Sequence, residues 1–156
     1  MSLTLATLLQ LTMLAAPTEA AETETYADAY RKSAETGQPL VVLVGAEWCP
    51  ACVQMKRTII PQLRQLGILR RVAFAQVDLD RQRELGQKLV GGGPIPQLII
   101  CRKASDGWHR KRLIGGQNMQ TVEELLQGEI VACQAEQKRV AQGESLHPVE
   151  KSPTDG

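Results

Sequence analysis

Two cysteines separated by two residues, Cys49 and Cys52, are the part of this sequence best suited to chemistry. They follow residues 39–46, an apolar run rich in valine and leucine that is typical of a buried strand. Beyond the cysteines, apolar residues recur at helical spacing as far as Gln65. The pair is therefore predicted at a strand-to-helix junction, with Cys49 at the N-cap and Cys52 in the first helical turn.

This placement favours thiol chemistry. The free amide groups and the positive end of the helix dipole stabilise an anion, here the thiolate of Cys49. Three positions along a helix bring Cys52 close enough to form a disulfide with it. Pro50 suits the first helical position, because it has no amide hydrogen and its backbone angle is already helical. The pattern predicts a dithiol–disulfide switch that needs no cofactor beyond its own redox-active disulfide.

Zinc binding and a purely structural disulfide are the alternatives. A zinc site needs further ligands, usually a second close pair of cysteines or histidines. The remaining candidates occur singly: Cys101, Cys133, His109 and His147. A structural disulfide normally closes a longer loop, because a short loop removes little entropy from the unfolded chain. Both alternatives stay open here, although we expect no metal.

The surrounding sequence predicts alternating strands and helices. In chain order these are a helix at 22–38, the strand at 39–46, the helix after the cysteines with Pro61 kinking or ending it, a strand at 72–79, a helix at 81–89 capped by Asp80, strands at 97–101 and 108–114, and a last helix capped by Thr121 with Glu124. In the first helix, Tyr26, Ala29, Tyr30 and Ala34 fall on one face. This order predicts an α/β fold, in which a βαβ unit and a ββα unit share one four-stranded mixed sheet between helices.

Residues 26–141 resemble the thioredoxin family. The likeness is carried by Ala-Glu-Trp-Cys-Pro-Ala-Cys at residues 46–52 and by Ile95-Pro96. In that family a C-x-x-C motif preceded by an aromatic residue opens the first core helix, and a cis-proline precedes the third core strand. The apolar leader and short redox domain are similar to exported thioredoxin-like proteins.

The resemblance implies a thiol–disulfide oxidoreductase that reduces protein disulfides. Cys49, expected to be exposed, is implied to attack a substrate disulfide, and Cys52 to resolve the mixed disulfide that results. The implied substrate contacts are Trp48, Pro50, Ala51, Ile95, Pro96 and Gly115. The implied partners are disulfide-bonded proteins and a thiol protein that donates electrons. The alternatives are a disulfide oxidase or isomerase, a redox-sensitive binding module and a metal carrier.

Residues at two positions modify the expected reaction rate and the expected direction of electron flow. The family often buries an acid in the strand before the motif, but Leu43 occupies that position here. Cys52 is therefore expected to lose its proton to water or to Glu47, and the mixed disulfide to resolve more slowly than in typical thioredoxins. Ala51 offers no charge or hydrogen bond to a thiolate, and this favours a reducing couple.

The ends of the chain differ in charge from its middle. Residues 49–112 carry 13 Lys and Arg against 4 Asp and Glu, a local charge of +9, whereas the segments on either side each sum to −4. Residues 2–16 form an apolar run that predicts a leader at 1–21, cleaved after Ala20 or Ala21. We thus expect an exported protein, periplasmic or secreted, with an uncleaved anchor or a cytoplasmic location as alternatives. One domain at 22–141 and a disordered tail at 142–156 are predicted, in a monomer that binds no nucleic acid.

Overall fold

The computed structural model describes residues 24–143, which form one four-stranded sheet covered by helices on both faces. The strands are β1 (Leu40–Gly45), β2 (Ala73–Asp78), β3 (Gln97–Ala104) and β4 (Gly107–Ile114). They lie in the order β2-β1-β3-β4; β1 is parallel to β2, and the other two pairs are antiparallel. The predicted fold class is confirmed. The predicted leader and all but two residues of the predicted tail lie outside the described residues.

The helices follow the predicted order. They are α1 (Tyr26–Thr36), α2 (Pro50–Gln54), α3 (Ile60–Gln65), α4 (Arg83–Val90) and α5 (Met119–Ala141). A π-helical turn, Met55–Ile59, joins α2 to α3. Pro61 lies in the first turn of α3, where the N–H group that proline lacks would not donate to the helix. Among residues 24–143, no helix is both long and apolar enough to cross a membrane.

Alternation along the strands builds a core on each face of the sheet. Val41 and Leu43 of β1 point towards α2, α3 and α5, where they pack with side chains such as Met55 and Leu126. Leu40, Val42 and Val44 point the other way, towards α1 and α4. Because β1 is covered on both faces, it is apolar at nearly every position, which explains why the sequence before the cysteines reads as one unbroken hydrophobic run.

Two predicted helix caps were wrong. Asp80 does not cap α4, because Asp78 Oδ1 accepts the backbone N–H groups of Asp80 (2.8 Å) and Arg81 (3.3 Å) and holds them in a turn, so that the helix begins only at Arg83. Thr121 does not cap α5. Its own N–H donates to Asn118 Oδ1 at 2.8 Å, and Asn118 is the N-cap.

The first helix is shorter than predicted, and only part of its apolar face is buried. Thr25 caps it, and Gly37 ends it in the left-handed conformation with φ of 69°. Ala29 and Ser33 are buried, whereas Tyr30 and Ala34 face outward. The Ser33 hydroxyl can be buried because it donates to the Gln38 carbonyl at 2.7 Å.

Cys101 and Cys133 are free thiols. Cys101 packs on the face that β3 shares with α1 and α4, whereas α5, which carries Cys133, covers the opposite face. The sheet therefore separates the two sulfur atoms. Burial raises the pKa of the Cys133 thiol, which keeps it protonated and weakly reactive.

A buried carboxylate joins α5 to the β3–β4 hairpin. Glu129 is only 4% exposed. It accepts hydrogen bonds from Arg102 Nε at 3.1 Å and from Lys111 Nζ at 2.6 Å. Burial alone would raise its pKa, but the hydrogen bonds from Lys111 and Arg102 outweigh burial and lower it.

We expect Glu129→Gln to reduce the free energy of unfolding by about 2 kcal/mol at pH 7, because Arg102 is left partly buried without its anion. Because the folded-state pKa lies below the unfolded one, this stabilisation is complete above the unfolded pKa and disappears as pH falls through the folded value. Urea unfolding from neutral to acid pH measures both effects. The exposed Glu124→Gln on the same helix is the control, and equal losses in both variants would contradict the assignment.

Candidate active site

The redox motif lies where the chain leaves β1 and enters α2. Cys49 is the N-cap with extended backbone angles (φ −95°, ψ 110°), and Pro50 occupies the first helical turn, as predicted. The Cys52 N–H donates to Cys49 Sγ at 3.2 Å. A donor at this position stabilises a thiolate on Cys49 once the disulfide is reduced.

The two cysteines form a disulfide across the first turn. Their Cα atoms are 5.2 Å apart, within the range that a disulfide accepts without backbone movement. Ala46, Leu79 and Ile95 surround the pair with apolar contacts. Among residues 24–143, no group of three or more histidine, cysteine or acidic side chains is placed to hold a metal ion.

Cys49 is less exposed than predicted. It is 7% accessible against 5% for Cys52, so burial hardly distinguishes the two sulfurs in the disulfide state. Their neighbours differ more. Cys49 Sγ lies 4.0 Å from the Ile95 carbonyl oxygen of the loop before β3, whereas Cys52 faces Gly45 of β1 from the interior side.

The loop before β3 lies directly against the motif. The Ile95–Pro96 peptide bond is cis, and the Pro96 carbonyl accepts the N–H of Gly115 at 2.8 Å. Gly115 has φ of 86°, a left-handed conformation that favours glycine. Ile95, Pro96 and Gly115 thus lie at one end of the sheet, together with Cys49.

Gly116 also belongs to this surface, although no motif in the sequence indicated a role for it. A Cβ on Gly116 would lie 3.4 Å from the Ala51 Cβ. The chain between β4 and α5 therefore passes close to the residue between the two cysteines. Ala51 is half-buried and Pro50 is exposed, so the motif presents a mostly apolar face here.

A buried polar network that sequence reasoning missed holds the cis-proline loop. The fully buried Gln97 donates through Nε2 to the carbonyls of Val90 (3.3 Å) and Pro94 (3.0 Å). Its Oε1 accepts from Arg112 Nη1 at 3.3 Å, and Arg112 Nη2 donates to the Leu89 carbonyl at 3.0 Å. The network fixes the loop to the last turn of α4. The sequence feature that could have indicated this network is the single glutamine, Gln97, at the start of an otherwise apolar predicted strand.

Trp48 is the most prominent side chain beside the motif. It is 69% exposed, and its Nε1 donates to Asp80 Oδ1 at 3.2 Å. The indole is therefore held over the turn after β2 while most of its surface remains open to solvent. An exposed aromatic side chain fixed in this way can contact a substrate without losing much side-chain entropy on binding.

A cleft of about 380 Å³ lies behind the motif, on the face of the sheet that carries α2. Its walls include Leu43, Gly45, Cys52, Lys56 and Asp78. The Lys56 ammonium pairs with the half-exposed Glu47 carboxylate, which also lines the cleft. The cleft therefore connects the Cys52 side of the disulfide with polar groups and solvent.

The sequence of residues 20–100 matches a family model described as thioredoxin-like. This span is more than half of the chain and includes both the cysteine motif and the cis-proline loop. No curated protein matches the chain.

Solved thioredoxins share the fold. The chain is 26% identical to the thioredoxin of Fasciola hepatica, with 69% of this chain and 96% of that one covered and a TM-score of 0.50. For a thioredoxin from Thermus thermophilus the identity is 20%, the coverage 79% and 94%, and the TM-score 0.59. For Trichomonas vaginalis thioredoxin the identity is 19%, the coverage 68% and 92%, and the TM-score 0.53.

Proposed function

Because this chain belongs to the thioredoxin-like family, we propose that it is an oxidoreductase that reduces disulfide bonds in other proteins. The observation that supports this most directly is the Cys49–Cys52 disulfide at a helix N-terminus beside a cis-proline loop. A disulfide placed only for stability would not need an apolar platform of substrate-accessible residues around it.

The proposed reaction begins with the dithiol form. The Cys49 thiolate attacks one sulfur of a substrate disulfide, a mixed disulfide forms, and the other substrate sulfur leaves as a thiolate. Cys52 then loses its proton and attacks Cys49 Sγ, which re-forms the internal disulfide and releases the reduced substrate. Two electrons pass to the substrate, and a donor dithiol must return them.

The loop beside Cys49 gives the substrate a place to bind. The carbonyl of Ile95 lies 4.0 Å from Cys49 Sγ, so an extended substrate segment that pairs with this backbone would bring its own disulfide towards the sulfur. Trp48 on one side and Gly115–Gly116 on the other border the same groove. These contacts use backbone and apolar surface, and thus suit many different protein sequences.

Resolution needs a proton acceptor for Cys52. Leu43 is buried in the core, so no carboxyl group lies at that position of β1. The cleft behind Cys52 admits water, and Glu47 stands at its wall. We propose that water in the cleft takes the proton, since Glu47 is engaged by Lys56. Stopped-flow decay of the mixed disulfide in wild type and Glu47→Gln tests this, because a slower variant would make Glu47 the acceptor.

The direction of electron flow follows from thiolate stability. Ala51 adds neither charge nor a side-chain hydrogen bond near Cys49, so the thiolate gains little beyond the helix terminus and the Cys52 amide. A weakly stabilised thiolate makes the disulfide harder to reduce and the dithiol a better reductant. We therefore propose that the protein acts as a reductase, and oxidase or isomerase activity is the second candidate.

Insulin reduction tests the function. With dithiothreitol as electron donor, the purified protein is expected to accelerate the precipitation of insulin chains over many turnovers. Equilibration with thiol buffers is expected to give a reduction potential near the thioredoxin value of about −270 mV. A value near about −120 mV would indicate an oxidase. A dithiol that titrates normally but never turns over would indicate a redox-sensitive binding module.

A further inference from the structure

The outer edge of β4 is open along its length. β4 is the last strand of the sheet and pairs only with β3. Within residues 24–143, the backbone groups of residues 108–113 make no hydrogen bond outside that pair. Alternate residues of such an edge direct their N–H and C=O groups outward, where they can pair with another strand.

This edge is strongly basic. β4 contains His109, Arg110, Lys111 and Arg112 and no acidic residue. Lys111 pairs with Glu129, and Arg112 binds carbonyls at the end of α4. Among residues 24–143, the ion pairs and side-chain hydrogen bonds of this hairpin involve neither Arg110 nor Lys103 of β3. These two charges are therefore available to a partner.

Two exposed aromatic rings lie beside the available charges. Trp108 is 50% exposed and Tyr30 is 49% exposed. Their ring centroids are 6.5 Å apart at an interplanar angle of 18°. In the sheet, Lys103 lies opposite Trp108, and Arg110 is two residues from Trp108 on the same face. This aromatic shelf (Tyr30 and Trp108) offers apolar surface beside cations.

We propose that the edge of β4 binds an extended acidic segment of a partner protein, which adds to the sheet as a fifth strand. The backbone of the segment pairs with the open edge, its carboxylates meet Lys103 and Arg110, and an apolar or aromatic side chain packs on the aromatic shelf. Successive residues of a strand point to opposite faces, so the edge recognises a segment whose acidic and apolar side chains lie at every second position, on the face that carries Lys103, Arg110 and the aromatic shelf.

A second copy of this chain is a poor occupant. Two β4 edges paired with each other would bring their rows of cations together, and like charges across a strand pair are destabilising. A nucleic acid could use the cations and the aromatic shelf, but it would leave the row of backbone donors and acceptors without strand partners. The combination of open backbone and positive charge favours an acidic polypeptide.

This surface is separate from the catalytic sulfurs. β4 approaches the active site only at its end, where Gly115 follows Ile114 and donates to Pro96. Trp108 and Lys103 lie at the other end of the hairpin, beside its turn. The affinity of the edge is therefore expected to be equal in the oxidised and reduced protein.

The test uses a fluorescein-labelled peptide of the same length as β4, eight residues, in which glutamate and valine alternate along one face of the strand and threonine occupies every position of the other face. Fluorescence anisotropy with the full chain measures its affinity. The double variant Lys103→Glu with Arg110→Glu is expected to bind at least about tenfold more weakly. The matched control reverses two exposed cations elsewhere, Arg64→Glu with Arg83→Glu, and is expected to keep its affinity. Circular dichroism and insulin reduction confirm that both variants fold.

Two further probes decide what the edge recognises. The same peptide N-methylated at every residue has no backbone N–H group to donate on either edge and is expected to lose binding. Equal affinity of the methylated peptide would overturn the proposal, and so would equal losses in the two double variants. Tighter binding of a single-stranded oligonucleotide, abolished by the Lys103 and Arg110 reversals, would assign the surface to nucleic acid instead. A strong dependence on redox state would place the peptide at Cys49.

Discussion

A Cys52→Ser variant is expected to accumulate as a covalent complex with its protein substrate, whereas a Cys49→Ser variant is expected to form none. Without Cys52, the mixed disulfide on Cys49 has no neighbouring thiol to attack it. Without Cys49, a serine hydroxyl replaces the thiolate and is too weak a nucleophile. Either change should lower disulfide-reduction turnover on the order of a thousandfold or more.

The roles follow from what each sulfur contacts. Cys49 Sγ accepts the Cys52 N–H at 3.2 Å and lies beside the exposed loop at Ile95. Cys52 Sγ faces Gly45 in the sheet, whereas Cys49 Sγ faces the loop proposed to bind the substrate. Gel electrophoresis without reductant and intact-protein mass spectrometry detect the complex. Dithiothreitol must reduce its disulfide and separate the two proteins.

Cys133→Ser is the matched control. Its thiol is buried and free, and its raised pKa keeps it protonated, so its loss should leave turnover unchanged. A complex formed by Cys49→Ser and not by Cys52→Ser would exchange the two roles. If neither variant formed a complex with a disulfide-bonded substrate, the covalent mechanism would be wrong.

Local sequence patterns were sufficient to predict the main elements of the site. The apolar run before Cys49 and the helical spacing after Cys52 define a junction that short-range physics alone determines. Pro50 fits only a few helical positions, and the structure places it at the expected one. The order of strands and helices predicted the mixed sheet, because consecutive elements in such folds are joined by short connections and lie next to each other.

Contacts between distant residues could not be predicted in this way. Gln97 is held by Arg112, which lies fifteen positions away along the chain, and no local pattern indicates that pairing. The two predicted caps were wrong for a related reason. Asp80 and Thr121 are residue types that suit an N-cap, but their own N–H groups donate to the side chains of Asp78 and Asn118. Exposure of Cys49 also depends on the loop at Ile95, which is remote in sequence.

Gly45 is the clearest case of a residue whose importance only the structure reveals. In the sequence it lies one residue before the end of the predicted apolar strand, where a glycine suggests nothing more than the approach to the end of the element. In the structure a Cβ on Gly45 would lie 2.9 Å from the Cys52 Cβ and 3.1 Å from its Sγ. The absence of a side chain allows α2 to lie directly against β1, and this contact positions Cys52 beneath Cys49.

Gly45→Ala is therefore expected to destabilise the fold by about 1–3 kcal/mol. Carbon atoms pack at about 3.5–4.0 Å, and the Cys52 Cβ cannot rotate away because it is fixed to the backbone of α2. The helix must move outward instead. The disulfide state loses more, because the bond to Cys49 also fixes Sγ, so the reduction potential should become more oxidising. Denaturant unfolding of both redox states and equilibration with thiol buffers measure these effects.

Gly128→Ala separates this steric effect from the general effect of replacing a glycine. Gly128 lies on the exposed side of α5, and a Cβ there would meet nothing within 4 Å. In an exposed helix position alanine is expected to stabilise by about 0.5–1 kcal/mol. The two variants should thus shift stability in opposite directions, and only Gly45→Ala should change the potential. A Gly45→Ala protein with wild-type stability and potential would show that the approach of α2 to β1 does not set the geometry of Cys52.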